Sequence, residues 1–197
     1  MNEELTNLGV TGIYDGQPVR ALEDIIFGIH GKEGVVLKHF KGIISIATTS
    51  VRSSGQVLAG DTVWKQFVGG VGSVDGSVVL GLFSDEMKKE LFGYEEVDGF
   101  LAAGKNSIAN KISISFTEIL FDGTRKTTGL PNVTLTEPTQ NARADQSNST
   151  DISGETYEST IKGTEDSKGY SIYTKTNIPT EQLSAFIKLV HGLPAGE

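Results

Sequence analysis

The sequence contains no cysteine, only five prolines and a single tryptophan. Without cysteine the chain has no disulfide framework, thiol nucleophile, iron–sulfur cluster or cysteine-based zinc site. No apolar run reaches the roughly 18 residues of a membrane-spanning helix. Residues 1–4 are acidic and have no apolar stretch behind them, unlike a secretory signal. We therefore expect a protein that is made and kept in a cytoplasm, or in a particle assembled there.

Basic residues are also in deficit. The chain has 17 lysines and arginines against 25 aspartates and glutamates, for a formal net charge of −8. A protein that grips nucleic-acid phosphates needs clustered lysine and arginine, so the composition argues against that class. A chain of 197 residues buries about 70% of its unfolded surface. It therefore needs neither metal nor disulfide to fold.

Glycine, in contrast, is abundant. It accounts for 24 of the 197 residues, well above the average of about 7%, and without the G-X-Y period of collagen. Many glycines and few helix-forming runs indicate many turns between strands. The pairs Asp98-Gly99 and Asp122-Gly123 each lie between apolar stretches, which predicts hairpins with type I′ turns.

Strand patterns dominate the chain. The clearest strand is predicted at residues 111–121, where Ile112, Ile114 and Phe116 share one face and polar side chains occupy the other. Ile119 breaks this parity, which predicts a bulge near Glu118. Further strands are predicted at residues 35–37, 43–46, 63–72, 77–83, 155–162 and 169–175. The order shows no alternation of strand and helix, so the expected fold class is mainly β.

Two segments predict helices. Ser84 is placed as the N-cap of a short helix that ends at Gly93, with Met87 and Leu91 on one face. A second, amphipathic helix is predicted at residues 179–190. Its apolar stripe and its stop signals are Leu183, Phe186, Ile187, Val190, Gly192 and Pro194.

Three segments lack a clear pattern. Residues 1–31 are interpreted as an arm or edge segment. Residues 47–62 form a polar excursion longer than most connections, and we expect it to be functional or disordered. Residues 137–153 are polar and are expected to form a mobile surface loop.

The chemical motifs do not combine into a catalytic site. Residues 99–106 come within one position of a P-loop, but Asn106 replaces the hydroxyl residue and a strand follows where a helix is needed. The glycine run at residues 69–76 also leads into a strand, so we interpret it as a strand joint with bulge and turn. The three histidines, His30, His39 and His191, are scattered. We expect no enzyme activity, cofactor or metal.

The organisation resembles the major tail (tail tube) proteins of long-tailed bacteriophages with non-contractile tails. The β-run at residues 41–46 precedes the polar excursion, and the glycines at 69–73 precede the β-run at 78–82. A strand ending in Ser84 is then followed by the short helix with Leu-Phe-Gly and by Asp-Gly-Phe-Leu at residues 98–101. The resemblance covers roughly residues 34–135; the polar loop at 137–153 and the helix at 179–190 are departures from it.

The resemblance implies a single tail-tube domain over residues 1–197, a β-sandwich or barrel with a short flanking helix, and terminal strands and a helix over 154–197. Copies would form hexameric rings that stack into the tail tube of a virion, and DNA would pass through an acidic lumen. The other implied partners are the tape measure, terminator and distal tail proteins, with no membrane. The candidate residues for the subunit interface are Arg52, Gln56, Val57, Leu58 and Trp64.

Two other classes remain open at this point. A β-rich adhesin or carbohydrate-binding module would need exposed aromatic side chains along one sheet face, for which Trp64, Tyr170 and Tyr173 are the candidates. A hydrolase would have to assemble its site from the scattered histidines and carboxylates. Neither class has a local motif that supports it.

Overall fold

The computed structural model describes residues 19–40, 42–59, 62–105, 107–138 and 157–194, with only the backbone described at 53–59 and 62–68. The expected mainly β fold, with a short flanking helix and a C-terminal helix, is confirmed. The elements in chain order are β1 (Val19–Gly31), β2 (Gly34–Lys38), β3 (Ile43–Ala59), β4 (Thr62–Leu80), α1 (Asp85–Phe92), β5 (Glu95–Val97), β6 (Phe100–Ala102), β7 (Ile112–Leu120), β8 (Arg125–Leu135), β9 (Tyr157–Thr164), β10 (Tyr173–Thr176) and α2 (Thr180–His191).

The strands form one antiparallel sheet in the order β2-β1-β7-β8-β9-β4-β3, with β10 as an additional partner of β8. β8 pairs with β10 along residues 126–129 and with β9 along residues 132–135. The small hairpin β5–β6 is separate from this sheet. No described helix is long and apolar enough to cross a membrane.

The core lies on one face of β7. Ile112, Ile114 and Phe116 point into it, as the alternating pattern predicts, and all three are buried. Side chains of β4 and β9 belong to the same buried cluster, so the sheet curls to bring its two halves together. α1 completes the cluster with Met87 and Leu91, which are 1% and 3% exposed.

The two ends of α1 agree with the prediction. The Ser84 side chain accepts a hydrogen bond from the Met87 N–H at 3.3 Å, which satisfies one of the free amides at the helix start. Gly93 closes the helix with φ of 70°. A side chain at this position would meet the Ile108 backbone, so glycine serves both the left-handed turn and the close approach.

Both predicted hairpins form, but their turns differ. Asp98 and Gly99 both have positive φ, 52° and 82°, as a type I′ turn requires. In the second turn only Gly123 is left-handed, with φ of 83°, and its N–H donates to the Leu120 carbonyl at 3.0 Å. This is the longer connection built on a type I turn with a glycine bulge, so the type I′ prediction is wrong there.

The interpretation of residues 1–31 as an arm or edge is wrong for its described part. Residues 19–31 form β1, which pairs with β2 on one side and β7 on the other and contributes Ile25, Phe27 and Ile29 to the core. Residues 1–18 lie outside the described part. The irregularities expected near Glu118 lie instead on the opposing strand β1, where the register shifts between Val19 and Ala21 and again between Glu23 and Ile26.

The described residues of the polar excursion, 47–59 and 62, are ordered in strands. Its backbone continues β3 from Ile43 to Ala59 and pairs with β4 down to Ala59 opposite Thr62. Ladder hydrogen bonds hold this polar segment in a strand, although its composition alone offers little to bury. The glycine run at 69–76 likewise lies within the single long strand β4 and carries bulges but no turn.

The terminal strands and helix agree with the prediction within a few residues. Of the expected polar loop, residues 137 and 138 are described and form no helix or strand, while residues 139–153 lie outside the described part.

Candidate assembly surfaces and a buried histidine cluster

The sheet presents two open edges. β3 lies at one end and β2 at the other, and no strand among the described residues pairs with their outer sides. β3 is 17 residues long. Apolar side chains lie exposed on both edges, among them Val36 on β2 and Ile44 on β3, each 56% exposed. Unpaired strand edges are templates for pairing with another chain.

The far ends of β3 and β4 form a two-stranded ribbon beyond the sheet. β9 accompanies β4 only from Ser73 to Leu80, whereas β4 begins at Thr62. We call residues 52–59 and 62–71 the overhang. Its backbone polar groups are paired only across the ribbon, to the extent that the described residues show.

The structure places all five candidate interface residues on the overhang. Arg52 lies opposite Val71 and is exposed, and Gln56 lies opposite Gln66. Along the same ladder, Val57 lies opposite Lys65 and Leu58 opposite Val63, while Trp64 falls at a register shift on β4. Only Arg52 among the five has its side chain within the described part. Their role in a subunit interface stays a prediction.

A buried polar cluster lies on the opposite face of β7 from the core. The His191 ring contacts two serine hydroxyls, with Nδ1 at 2.7 Å from Ser113 Oγ and Nε2 at 3.0 Å from Ser115 Oγ. His30 Nε2 lies 3.0 Å from the same Ser113 oxygen. Because a hydroxyl can donate or accept, a neutral His191 is satisfied at both ring nitrogens.

Burial lowers the pKa of His191 to about 4, with a smaller contribution from His30. The pKa of His30 is also lowered, first by burial and then by the charge of Lys111. Both imidazoles are therefore held in the neutral form. Ser113 is fully buried, and neither ring contacts a carboxylate among the described residues. The cluster thus has a serine–histidine pair without the access or the orienting acid of a catalytic triad.

The alternation in β7 does not reveal this cluster, because a polar face in a strand pattern does not show what packs over it. The polar positions Ser113, Ser115 and Thr117 are at most 2% exposed, since α2 packs over them. One signal pointed to it: His191 follows Ile187 by four residues and so continues the apolar stripe of the helix.

Two glycines allow α2 to pack closely against the sheet. A side chain at Gly28 would collide with Ser113 Oγ and His191 Nδ1, and one at Gly129 would collide with Val190. The end of α2 therefore packs closely on β1 and β8 at these two glycines and on the small serine side chains of β7. The start of the helix is held less closely, because Leu183 and Ile187 are only half-buried above a cavity of about 250 Å³.

The other sequence motifs form no ligand site in the described residues. A strand, β7, follows the near P-loop, and no group of histidines and acids there could hold a metal. Tyr170 and Tyr173 have ring centroids 5.7 Å apart but planes tilted by 55°, and the Tyr173 hydroxyl donates to Asp166 at 2.5 Å. They do not form a flat aromatic platform of the kind that a sugar-binding face needs.

Searches of protein-family models and of curated proteins find no match. Among solved structures, a chain of the anti-feeding prophage cap (AFP tube-terminating cap) is 14% identical with a TM-score of 0.49, over 84% of this chain and 95% of that one. A chain of the PVC sheath–tube complex, from an extracellular contractile injection system in the extended state, is 14% identical with a TM-score of 0.45, over 80% and 91%. A chain of the PVC sheath/tube terminator is 14% identical with a TM-score of 0.41, over 83% of this chain and 99% of that one. All three TM-scores lie below 0.5, and no functional conclusion rests on them.

Proposed function

We propose that this chain is a structural subunit that self-assembles into stacked rings and forms the tail tube of a phage or phage-like particle, without enzymatic activity. The observation that carries the proposal is the pair of open sheet edges, of which the longer continues into the overhang. The sequence resemblance to the major tail proteins of non-contractile tails supplies the class. We propose in addition that residues 1–197 act as one domain.

The two edges are different surfaces at opposite ends of the sheet. When β3 of one copy pairs with β2 of the next, the contact is heterologous, and its repetition closes a ring if the rotation allows. The ladder hydrogen bonds left open in the single subunit are then made between subunits, which removes the hazard of a free edge. The overhang, with Arg52, Gln56, Val57, Leu58 and Trp64, would extend this contact.

DNA would pass through such a tube without being gripped. The chain carries a formal net charge of −8, and an acidic lumen repels phosphates and lets a duplex slide, whereas a basic one would hold it. We propose the tape measure, terminator and distal tail proteins as the further partners, and the virion tail, assembled in a host cytoplasm, as the location.

Negative-stain electron microscopy of concentrated protein tests the proposal. We expect rings or tubes with a central channel. A strict monomer at every concentration, confirmed by light scattering, would overturn it. Saturable binding to an oligosaccharide array by that monomer would instead support an adhesin or carbohydrate-binding module.

A further inference from the structure

The hairpin β5–β6 is an exposed apolar projection with acidic flanks. Phe100 and Val97 lie opposite each other in the ladder and are 76% and 50% exposed. Glu95 and Asp98 flank them and take part in no ion pair between described residues, whereas Glu96 is paired with Lys89 on α1. Within the subunit, therefore, the hairpin leaves a large aromatic ring and two carboxylates uncovered.

A groove of complementary character runs beside α2. A concavity of about 660 Å³ is lined by Ala185, Leu189 and Leu193 with Lys168 and Lys188 at its rim. It continues into a cleft of about 380 Å³ that adds a third lysine and His30. Leu189 is 41% exposed.

The charges around this groove leave the lysines available. No ion pair between described residues includes Lys111, Lys168 or Lys188. Two acids also line the groove, Glu181 and Asp166. Asp166 accepts hydrogen bonds from two backbone amides and from a tyrosine hydroxyl, which favour its ionised form. The three lysines therefore exceed the two acids by one, and the groove is weakly basic in a chain that is acidic as a whole.

The hairpin and the groove lie on different sides of the sheet. α1 packs on the core face of β7 through Met87 and Leu91, and the hairpin follows α1 directly and is tied to it by the Lys89–Glu96 pair. α2 packs on the other face of β7, over Ser113 and Ser115. The two surfaces therefore do not meet within one subunit, which leaves the hairpin of one copy free to meet the groove of another.

We propose that the β5–β6 hairpin of one copy docks into the α2 groove of another copy. Phe100 packs against Leu189 and the neighbouring apolar floor, and the free carboxylates face the rim lysines. Because the surfaces differ and lie on different sides of the sheet, the contact is heterologous and propagates from copy to copy. This inference rests on the proposed assembly function. Within that assembly, the hairpin in the groove is the contact that joins one ring to the next.

The test uses two variants that each lose one side of the contact. Phe100→Ser removes the projecting ring, and Leu189→Ser removes the apolar floor; both side chains are exposed enough for the fold to persist, which thermal melting checks. We expect assembly of each variant alone to end at the smallest particle that it forms, whether that particle is a subunit or a ring. An equimolar mixture should then form a particle of twice that mass in light scattering, because one intact hairpin meets one intact groove. Phe121→Ser, at the 63% exposed Phe121, is the matched control and should assemble as the wild type does.

Two results would overturn the inference while leaving the proposed function in place. One is tube growth by either variant to the wild-type extent; the other is a mixture whose particles are no larger than those of the separate variants. A wild-type protein that never assembles would overturn both together.

Discussion

At the residue scale, His191 is the least replaceable contact of α2. Its ring fills the space that Gly28 leaves open and joins Ser113 to Ser115. An imidazolium there would be buried beside His30, and no hydrogen bond between described residues joins the ring to a carboxylate. The docking of the helix therefore depends on a neutral ring.

We predict that the subunit loses stability as the pH falls from about 6.5 towards 4. The folded state holds the pKa of His191 at about 4, below its ordinary 6.5, so the unfolded chain binds the proton first. The contribution of the neutral His191 ring to the free energy of unfolding is complete above the unfolded pKa. It falls by up to about 1.4 kcal/mol per pH unit as the pH drops through this window. Urea midpoints between pH 7.5 and 4.5 measure it.

His191→Gln is the matched variant, because it keeps a polar side chain that does not titrate. The urea midpoint of this variant should depend less steeply on pH than that of the wild type. The pH dependence that remains is due to His30 and the surface carboxylates. Parallel pH profiles for the two proteins would show that His191 does not control this dependence.

Leu91 tests the packing of α1. The side chain is 3% exposed in the core, and we expect Leu91→Ala to cost about 2–5 kcal/mol. A domain of ordinary stability has about 5–15 kcal/mol in total, so expression and assembly should fall together. Glu86→Ala, which removes only a surface ion pair to Lys38, is the control and should cost at most about 1 kcal/mol. An unchanged denaturant midpoint for Leu91→Ala would mean that α1 is peripheral to the fold.

At the element scale, the open edge of β3 is the feature that separates this sheet from that of a self-contained monomer. Ile43 and Ile46 pack against the core, whereas the outer backbone groups of this 17-residue strand have no partner among the described residues. Natural proteins that avoid edge pairing use charges, prolines or short edge strands. Within the described length of β3, Arg52 is the one charged residue and there is no proline.

Ile44→Lys places such a blocking charge on this edge. Ile44 is 56% exposed, so the fold should survive, but a buried ammonium at a subunit contact is costly. We expect particle mass at a given concentration to drop to that of the subunit, with an unchanged melting temperature. Phe121→Lys, on a turn away from both edges, is the control. Equal assembly by both variants would show that the β3 edge does not join subunits.

At the scale of the whole molecule, the overhang is a two-stranded extension beyond the rest of the sheet. It extends past β9 and is paired only across its two strands within the described structure. Segments with few buried contacts open locally at low free energy. Assembly would supply the missing contacts.

Amide hydrogen exchange should show this difference. We predict fast exchange at the outward-facing amides of residues 47–59 in the free subunit and slow exchange in rings or tubes, because these amides gain partners there. The amides of β7, which has strands on both sides, are the internal reference and should be slow in both states. Equal protection of residues 47–59 before and after assembly would exclude this segment as an assembly element.

Local patterns determined much of this structure. The cap at Ser84, the left-handed position at Gly93 and the stripe of Met87 and Leu91 define α1 within a few residues of chain, and the structure agrees with each. The alternating pattern likewise predicted that Ile112, Ile114 and Phe116 lie in the core. These features depend on hydrogen bonds and packing between residues close in sequence, which composition and spacing report directly.

Only the tertiary structure decided how the polar segments are used. Residues 47–59 are a strand because β4 lies beside them, and the polar face of β7 is buried because α2 arrives from far along the chain. A ladder hydrogen bond joins backbone groups and so forms whatever the side chain is, and a buried serine hydroxyl that is hydrogen-bonded to a histidine is satisfied as it would be in water. Such long-range pairings leave no period in the sequence, so the polar pattern predicted a functional or disordered segment where the fold has an edge strand, and it gave no sign of the buried histidine cluster.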